Sequence, residues 1–96
     1  MATNLRIPPQ NLDAEKALLG SIMLRSDAIN EINDSINDRV FYSEKHRIIF
    51  RSMMELFTKS TPIDMLTLTT RLRENNQLDQ IGAASYIAEL ANAVTS

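Results

Sequence analysis

The stretch YSEKHRIIFRSMMELFTK, residues 42–59, decides the fold class. Within it His46, Ile49, Phe50, Met53, Leu56 and Phe57 recur at the three- and four-residue steps that build one broad face of an α-helix. Glu44, Arg47, Arg51, Glu55 and Lys59 fall on the opposite side. Ser43 has the side chain of an N-cap, Glu44 places a negative charge at the positive helix end, and Lys59 places a positive charge at the last turn. Two of the chain's three Phe and two of its five Met lie on or beside the apolar side. Other segments can bury most of their surface against it, which predicts a central core helix near residues 43–59.

Towards the C-terminus, Ser60-Thr61-Pro62 ends this helix, because proline disfavours a helical conformation in the residue before it. Asp64 caps a fourth helix, with Ile63 and Leu68 spaced as a hydrophobic staple across the cap. Met65, Leu68 and Leu72 form its apolar stripe, while Arg71, Arg73 and Glu74 face water. Asn75-Asn76 stops it, residues 78–81 connect, and Gly82 caps a fifth helix running to Val94, with Ile81 and Tyr86 as a second staple pair. Tyr86, Ile87, Leu90, Ala91 and Val94 make the apolar side of that last helix.

Towards the N-terminus, residues 1–10 are polar and reach Pro8-Pro9, which predicts an extended lead-in. Asn11 caps a first helix over residues 12–24, where Asp13 and Glu15 sit in the turn that the macrodipole favours for acids. Its apolar residues wrap nearly all the way round, so it must be covered on most sides. Gly20 lies inside it at a cost of about 1 kcal/mol relative to Ala, which close approach of another backbone would explain. Ser26 or Asp27 begins a second helix with Ile29, Ile32, Ile36 and Val40 on one face and polar residues on the other; residues 38–41 connect it to the central helix. No run sustains the alternation of a strand. The expected class is all-α, a compact orthogonal bundle of about five to six short helices.

Ninety-six residues fit one domain with a modest core, and a hydrophobic fraction of 44% argues against disorder. Ten Lys and Arg against twelve Asp and Glu give a net charge of −2, so no basic field recommends nucleic acid as the main partner. With no Cys and one His the chain has no thiolate metal site, no disulfide and no self-contained zinc site. Two glycines cannot make a phosphate-cradling loop, and no Ser, His and acid grouping has a local signature. The longest uncharged apolar run, residues 17–24, is too short to span a membrane. A cytoplasmic domain with no catalytic, cofactor or metal residues is expected.

Four weaker candidates remain. Asp27, Glu31, Asp34 and Asp38 share one side of the second helix, but without the Gly and terminal Glu of a calcium loop they read as the solvated face opposite the isoleucines. His46, on the apolar face of the central helix, reads as a packed histidine bonded to nearby backbone. Arg39, Lys45, Arg47, Arg51, Arg71 and Arg73 form a basic set in which Arg47 and Arg51 are the candidate phosphate contacts, with Glu44 and Glu55 spaced to neutralise them. Tyr86, Ile87, Leu90 and Val94 are the candidate partner surface, since they lie beside a chain end with no charged tail, as if cut from a longer protein.

Several groups of residues then stand in a familiar order. Arg6-Ile7-Pro8-Pro9-Gln10-Asn11, Leu12-Asp13-Ala14-Glu15 and Leu18-Leu19-Gly20 come first. Phe41-Tyr42 with His46, Ile49 and Phe50 follow, then Pro62-Ile63-Asp64 with Thr67, and last Gly82 with Tyr86-Ile87-Ala88-Glu89-Leu90. Over nearly its whole length the chain resembles the N-terminal domain of the bacterial replicative DNA helicase of the DnaB family. The resemblance implies the globular head of that domain, over residues 11–96, ending before the family's helical hairpin, linker and RecA-like ATPase domain. It implies a non-catalytic scaffold in one tier of a hexameric ring, associating with other copies of itself and docking primase, with the helicase loader as a further partner. ATP and Mg, and contact with DNA, belong by the same resemblance to the absent motor domain. Ala83 departs from the family, many of whose members carry a second Gly there, and should favour the helix start. The alternatives are a helical nucleic-acid-binding module, the similar helicase-binding domain of primase, and a small enzyme or metal sensor on the acidic face.

Overall fold

The computed structural model describes residues 11–32 and 38–94, the side chains of residues 31, 32 and 38 excepted. The lead-in over residues 1–10, and Asp34 and Ile36 of the second helix, lie outside the described residues. Five α-helices stand among them: α1 (Leu12–Leu24), α2 (Ala28–Ile32), α3 (Glu44–Thr58), α4 (Met65–Glu74) and α5 (Ala83–Ala93). Short 3-10 turns at Asp38–Val40 and Asp79–Ile81 lead into α3 and α5. All regular structure in this set is helical, and the expected all-α bundle around a central helix is what the chain forms.

The central helix α3 packs against α1, α4 and both 3-10 turns, while α5 closes the bundle by lying along α1 and touching α4. Its buried residues are His46, Ile48, Ile49, Phe50, Ser52, Met53 and Leu56. The inward face is thus wider than the apolar stripe, taking in Ile48 and the small Ser52 on its flank. Leu19 and Ile22 of α1, Ile29 of α2, Phe41, Ile63, Leu68 and Leu72 of α4, Ile81, and Ile87 and Leu90 of α5 complete one continuous core. Each such side chain contributes about 1.5–3 kcal/mol by leaving water.

The helix ends follow local chemistry. Asn11 and Ser43 accept hydrogen bonds from Ala14 N and His46 N at 3.1 and 3.4 Å. Asp64 and Thr67 form a reciprocal capping box, with Thr67 N donating to Asp64 Oδ1 at 2.9 Å and Asp64 N donating to Thr67 Oγ1 at 3.0 Å. Met65, expected on the inward stripe of α4, is instead 42% exposed. The staple residue Ile63 is buried instead, and Thr69 is buried along with Leu68 and Leu72. Ser26 does not simply cap α2: its hydroxyl donates to Ile63 O at 3.1 Å and accepts from Ile63 N at 3.0 Å, tying the α1–α2 junction to the α3–α4 loop.

Two helices end on left-handed residues that are not glycine. Ser60 (φ 56) and Asn76 (φ 59) turn the chain so that Thr61 N bonds Leu56 O and Gln77 N bonds Leu72 O, each bond reaching back over five residues to satisfy a helix-end carbonyl. At the start of α5 both Gly82 (φ 101) and Ala83 (φ 63) are left-handed. The expectation that Ala83 favours the helix start is therefore corrected, because its Cβ crowds the backbone in that conformation. Ala83→Gly is expected to raise stability by about 1 kcal/mol, read as a higher urea midpoint at unchanged slope. A lower midpoint would show that Ala83 leaves the left-handed region in solution.

Candidate functional site

The polar feature built most deeply into this fold joins three helices. Glu15 on α1 is 0% exposed and His46 at the start of α3 is 1% exposed, although both are ionisable side chains. Their burial is made tolerable by complete pairing. His46 Nδ1 lies 2.6 Å from Glu15 Oε1, and His46 Nε2 lies 2.6 Å from the Tyr86 hydroxyl on α5. Tyr42 N donates to Glu15 Oε2 at 2.7 Å and Ser43 N to Glu15 Oε1 at 3.4 Å. The carboxylate of α1 therefore sits on the amides that open α3, where the helix dipole favours an anion.

Because the carboxylate only accepts, His46 Nδ1 carries the proton and the neutral ring accepts from the Tyr86 hydroxyl through Nε2. Burial of the ring is the main cause lowering the His46 pKa from 6.5, against the opposing pull of Glu15. Burial likewise pushes the Tyr86 hydroxyl up to about 12, with Glu89 and Glu15 adding to it. Lys45 stands 3.8 Å from the centre of the Tyr86 ring, and Lys16 of α1 pairs with Glu89 of α5. The histidine is thus packed as expected, but its ring partners are side chains rather than backbone.

A second tie crosses α3 and α4. Arg71 Nε donates to Glu55 Oε1 at 2.7 Å and Asn75 Nδ2 donates to the same oxygen at 3.1 Å. The hydrogen bond from Arg71 is the first cause holding the Glu55 carboxyl below its usual range. Glu55, expected to face the basic set of α3, thus also ties α3 to α4.

The candidate surfaces divide. Ile87 and Leu90 are 0% exposed members of the core, so half of the expected partner surface is corrected to core. Tyr86 and Val94 are half-buried at its edge. Of the candidate phosphate contacts, Arg47 donates to the carbonyls of Phe41 and Tyr42 at 3.0 and 2.9 Å, fastening the turn before α3, whereas Arg51 is exposed. No group of three or more metal-ligating side chains stands among the described residues. Asp34 of the acidic face, and the side chains of Glu31 and Asp38, lie outside that set. Among the described residues no helix is long and apolar enough to cross a membrane.

Exposed apolar surface is found elsewhere. Leu66 on the first turn of α4 is 76% exposed, the most of any large apolar side chain among the described residues. It edges an open groove of about 410 Å³ with Leu56, Lys59, Thr61, Thr67 and Thr70. Periodicity had no means of finding it, since Leu66 stands off the 65-68-72 stripe.

Comparison with known proteins adds family to geometry. The model of the DnaB-like helicase N terminal domain matches residues 7–96. The chain is 38% identical over 89 residues to a replicative DNA helicase DnaB from Geobacillus stearothermophilus, covering 93% of this chain and 20% of the relative. It is 35% identical over 91 residues to a replicative DNA helicase DnaC from Bacillus subtilis, covering 95% of this chain and 20% of the relative. The chain thus spans about a fifth of the length of these two relatives. The crystal structure of the N-terminal domain of DnaB helicase from Mycobacterium tuberculosis superposes with a TM-score of 0.85 at 31% identity, over 92% of this chain and 61% of that one.

Proposed function

This chain belongs to the DnaB-like helicase N-terminal domain family, and from that premise we propose that it is the non-catalytic head of a hexameric replicative DNA helicase. In that role it associates with further copies of itself in the ring and docks primase during DNA replication, with the helicase loader as a further partner. The observation that carries the proposal is the match of one helicase N-terminal domain model across residues 7–96. The geometry is compatible with a scaffold. The ionisable groups at the centre of the bundle, Glu15 and His46, are buried and paired with each other, and His46 is paired with Tyr86 as well. ATP and Mg act, on this proposal, in the motor domain of the longer relatives and not on these residues.

The test is a titration of the isotope-labelled chain with the C-terminal region of the matching primase, following backbone amides, with single-stranded DNA as a parallel sample. Localised shifts with primase and none with DNA are expected, strongest where apolar side chains are still open to solvent, as at Leu66, and weakest at Ile87 and Leu90 inside the core. Shifts with DNA alone, steeply weakened by salt, would replace the scaffold by the nucleic-acid-binding alternative.

A further inference from the structure

We propose that Glu15, His46 and Tyr86 form a protonation-sensitive latch, which holds α5 on the opening turn of α3 while His46 is neutral and releases it when His46 takes up a second proton. The geometry sets the condition. Nδ1 and Nε2 of His46 each meet one partner at 2.6 Å, an acceptor-only carboxylate on α1 and a hydroxyl on α5. The neutral ring satisfies both bonds at once. A protonated ring presents a donor at each nitrogen, so the Tyr86 hydroxyl must turn its proton away from the His46 ring, against which its own ring stacks at 5.8 Å between centroids.

The charged neighbours oppose a second proton as well. From α1 the ring is faced by Glu15 and Lys16, from α3 by Lys45, and from α5 by Tyr86, with Glu89 beyond it paired to Lys16. Glu15 alone favours the cation, but its oxygens already accept from the Tyr42 and Ser43 amides. Lys16, Lys45 and the 1% exposure of the ring all count against it. Opening α5 hydrates the ring and removes that opposition, so proton uptake and release of α5 are one coupled event.

The sign follows from the direction of the shift. His46 is held below 6.5 in the folded chain. Its contribution to stability is therefore complete above 6.5 and is lost as pH falls through the folded value. His46 is the one histidine of the chain, so its ring resonances report the site without ambiguity.

The experiment follows those resonances in the intact chain between neutral and mildly acidic pH, together with hydrogen exchange of the α5 amides corrected for intrinsic rates. The expected result is a ring titrating below 6.5, with α5 protection falling about tenfold for each pH unit between 6.5 and the folded value. His46→Gln, which keeps a donor and an acceptor but cannot titrate there, is expected to abolish the fall. A ring titrating at or above 6.5, α5 protection flat through the titration, or a fall that survives in the His46→Gln variant would each overturn the latch. Should that variant fail to fold, the two measurements on the unsubstituted chain still decide.

Discussion

Leu90→Ala is expected to remove about 2–5 kcal/mol of folding stability while leaving association of the chain with its partners unchanged in kind. Leu90 is 0% exposed on the inner face of α5, where its backbone lies against Gly20 of α1. Truncating it loses the transfer energy of the removed carbons and leaves a cavity that two backbones in contact cannot collapse around. Against a total stability of about 5–15 kcal/mol for a domain of this kind, that loss is visible in any equilibrium unfolding curve. The measurement is urea unfolding followed by far-ultraviolet dichroism, with the slope checked for constancy so that the shift in midpoint reads as stability. Sedimentation in parallel reports association. A midpoint within experimental error of the parent, with weakened association, would return Leu90 to a partner surface.

That assignment shows where sequence periodicity stops. A stripe of Tyr86, Ile87, Leu90 and Val94 states that one face of α5 is apolar, and both a core and a docking surface have that pattern. What separates them is whether another element of the same chain reaches the stripe, and α1 does so through Gly20, far away in sequence. The helices themselves were legible because their signals are local: the caps Asn11, Ser43 and Asp64 all accept the expected amides. Ser60 and Asn76 end helices in left-handed conformations that their residue types permit but do not announce.

The latch was half legible. His46 stands out on the apolar face of α3, but its partner does not. Glu15, Leu19 and Ile22 recur at the spacing of a single stripe on α1, so an acid occupies a core position there. A buried acid on one helix and a buried histidine on another each need a partner, and together they imply one another. Reading Glu15 only as a first-turn charge favoured by the dipole of its own helix misses that the dipole it serves is also that of α3. Leu66 was illegible for the opposite reason. Exposure is set by what fails to cover a residue, and no spacing in α4 records that.

Gly20→Ala carries the second large effect, and its sign runs against helix propensity. Gly20 sits inside α1, where Ala would be favoured by about 1 kcal/mol in an isolated helix. A Cβ at that position would lie closer to the Leu90 carbonyl oxygen than real side chains approach, with Val94 Cγ1 a further 3.7 Å neighbour. The obstacle is backbone in the last turn of α5, so no rotamer change clears it and the two helices must separate. Overpacking of this kind costs about 1–3 kcal/mol and exceeds that where the neighbour cannot yield, so a net loss is expected for Ala and a larger one for Val. Urea midpoints of the two variants check the order. Combining Gly20→Ala with Leu90→Ala separates carbonyl from side chain. The clash is with the backbone carbonyl, which the Leu90→Ala substitution leaves in place, so no rescue is expected and the double variant falls below either single one. A double variant as stable as Leu90→Ala alone would mean that side-chain bulk sets the distance between α1 and α5. A Gly20→Ala variant more stable than the parent would mean that the helices lie further apart in solution and that propensity decides the position after all.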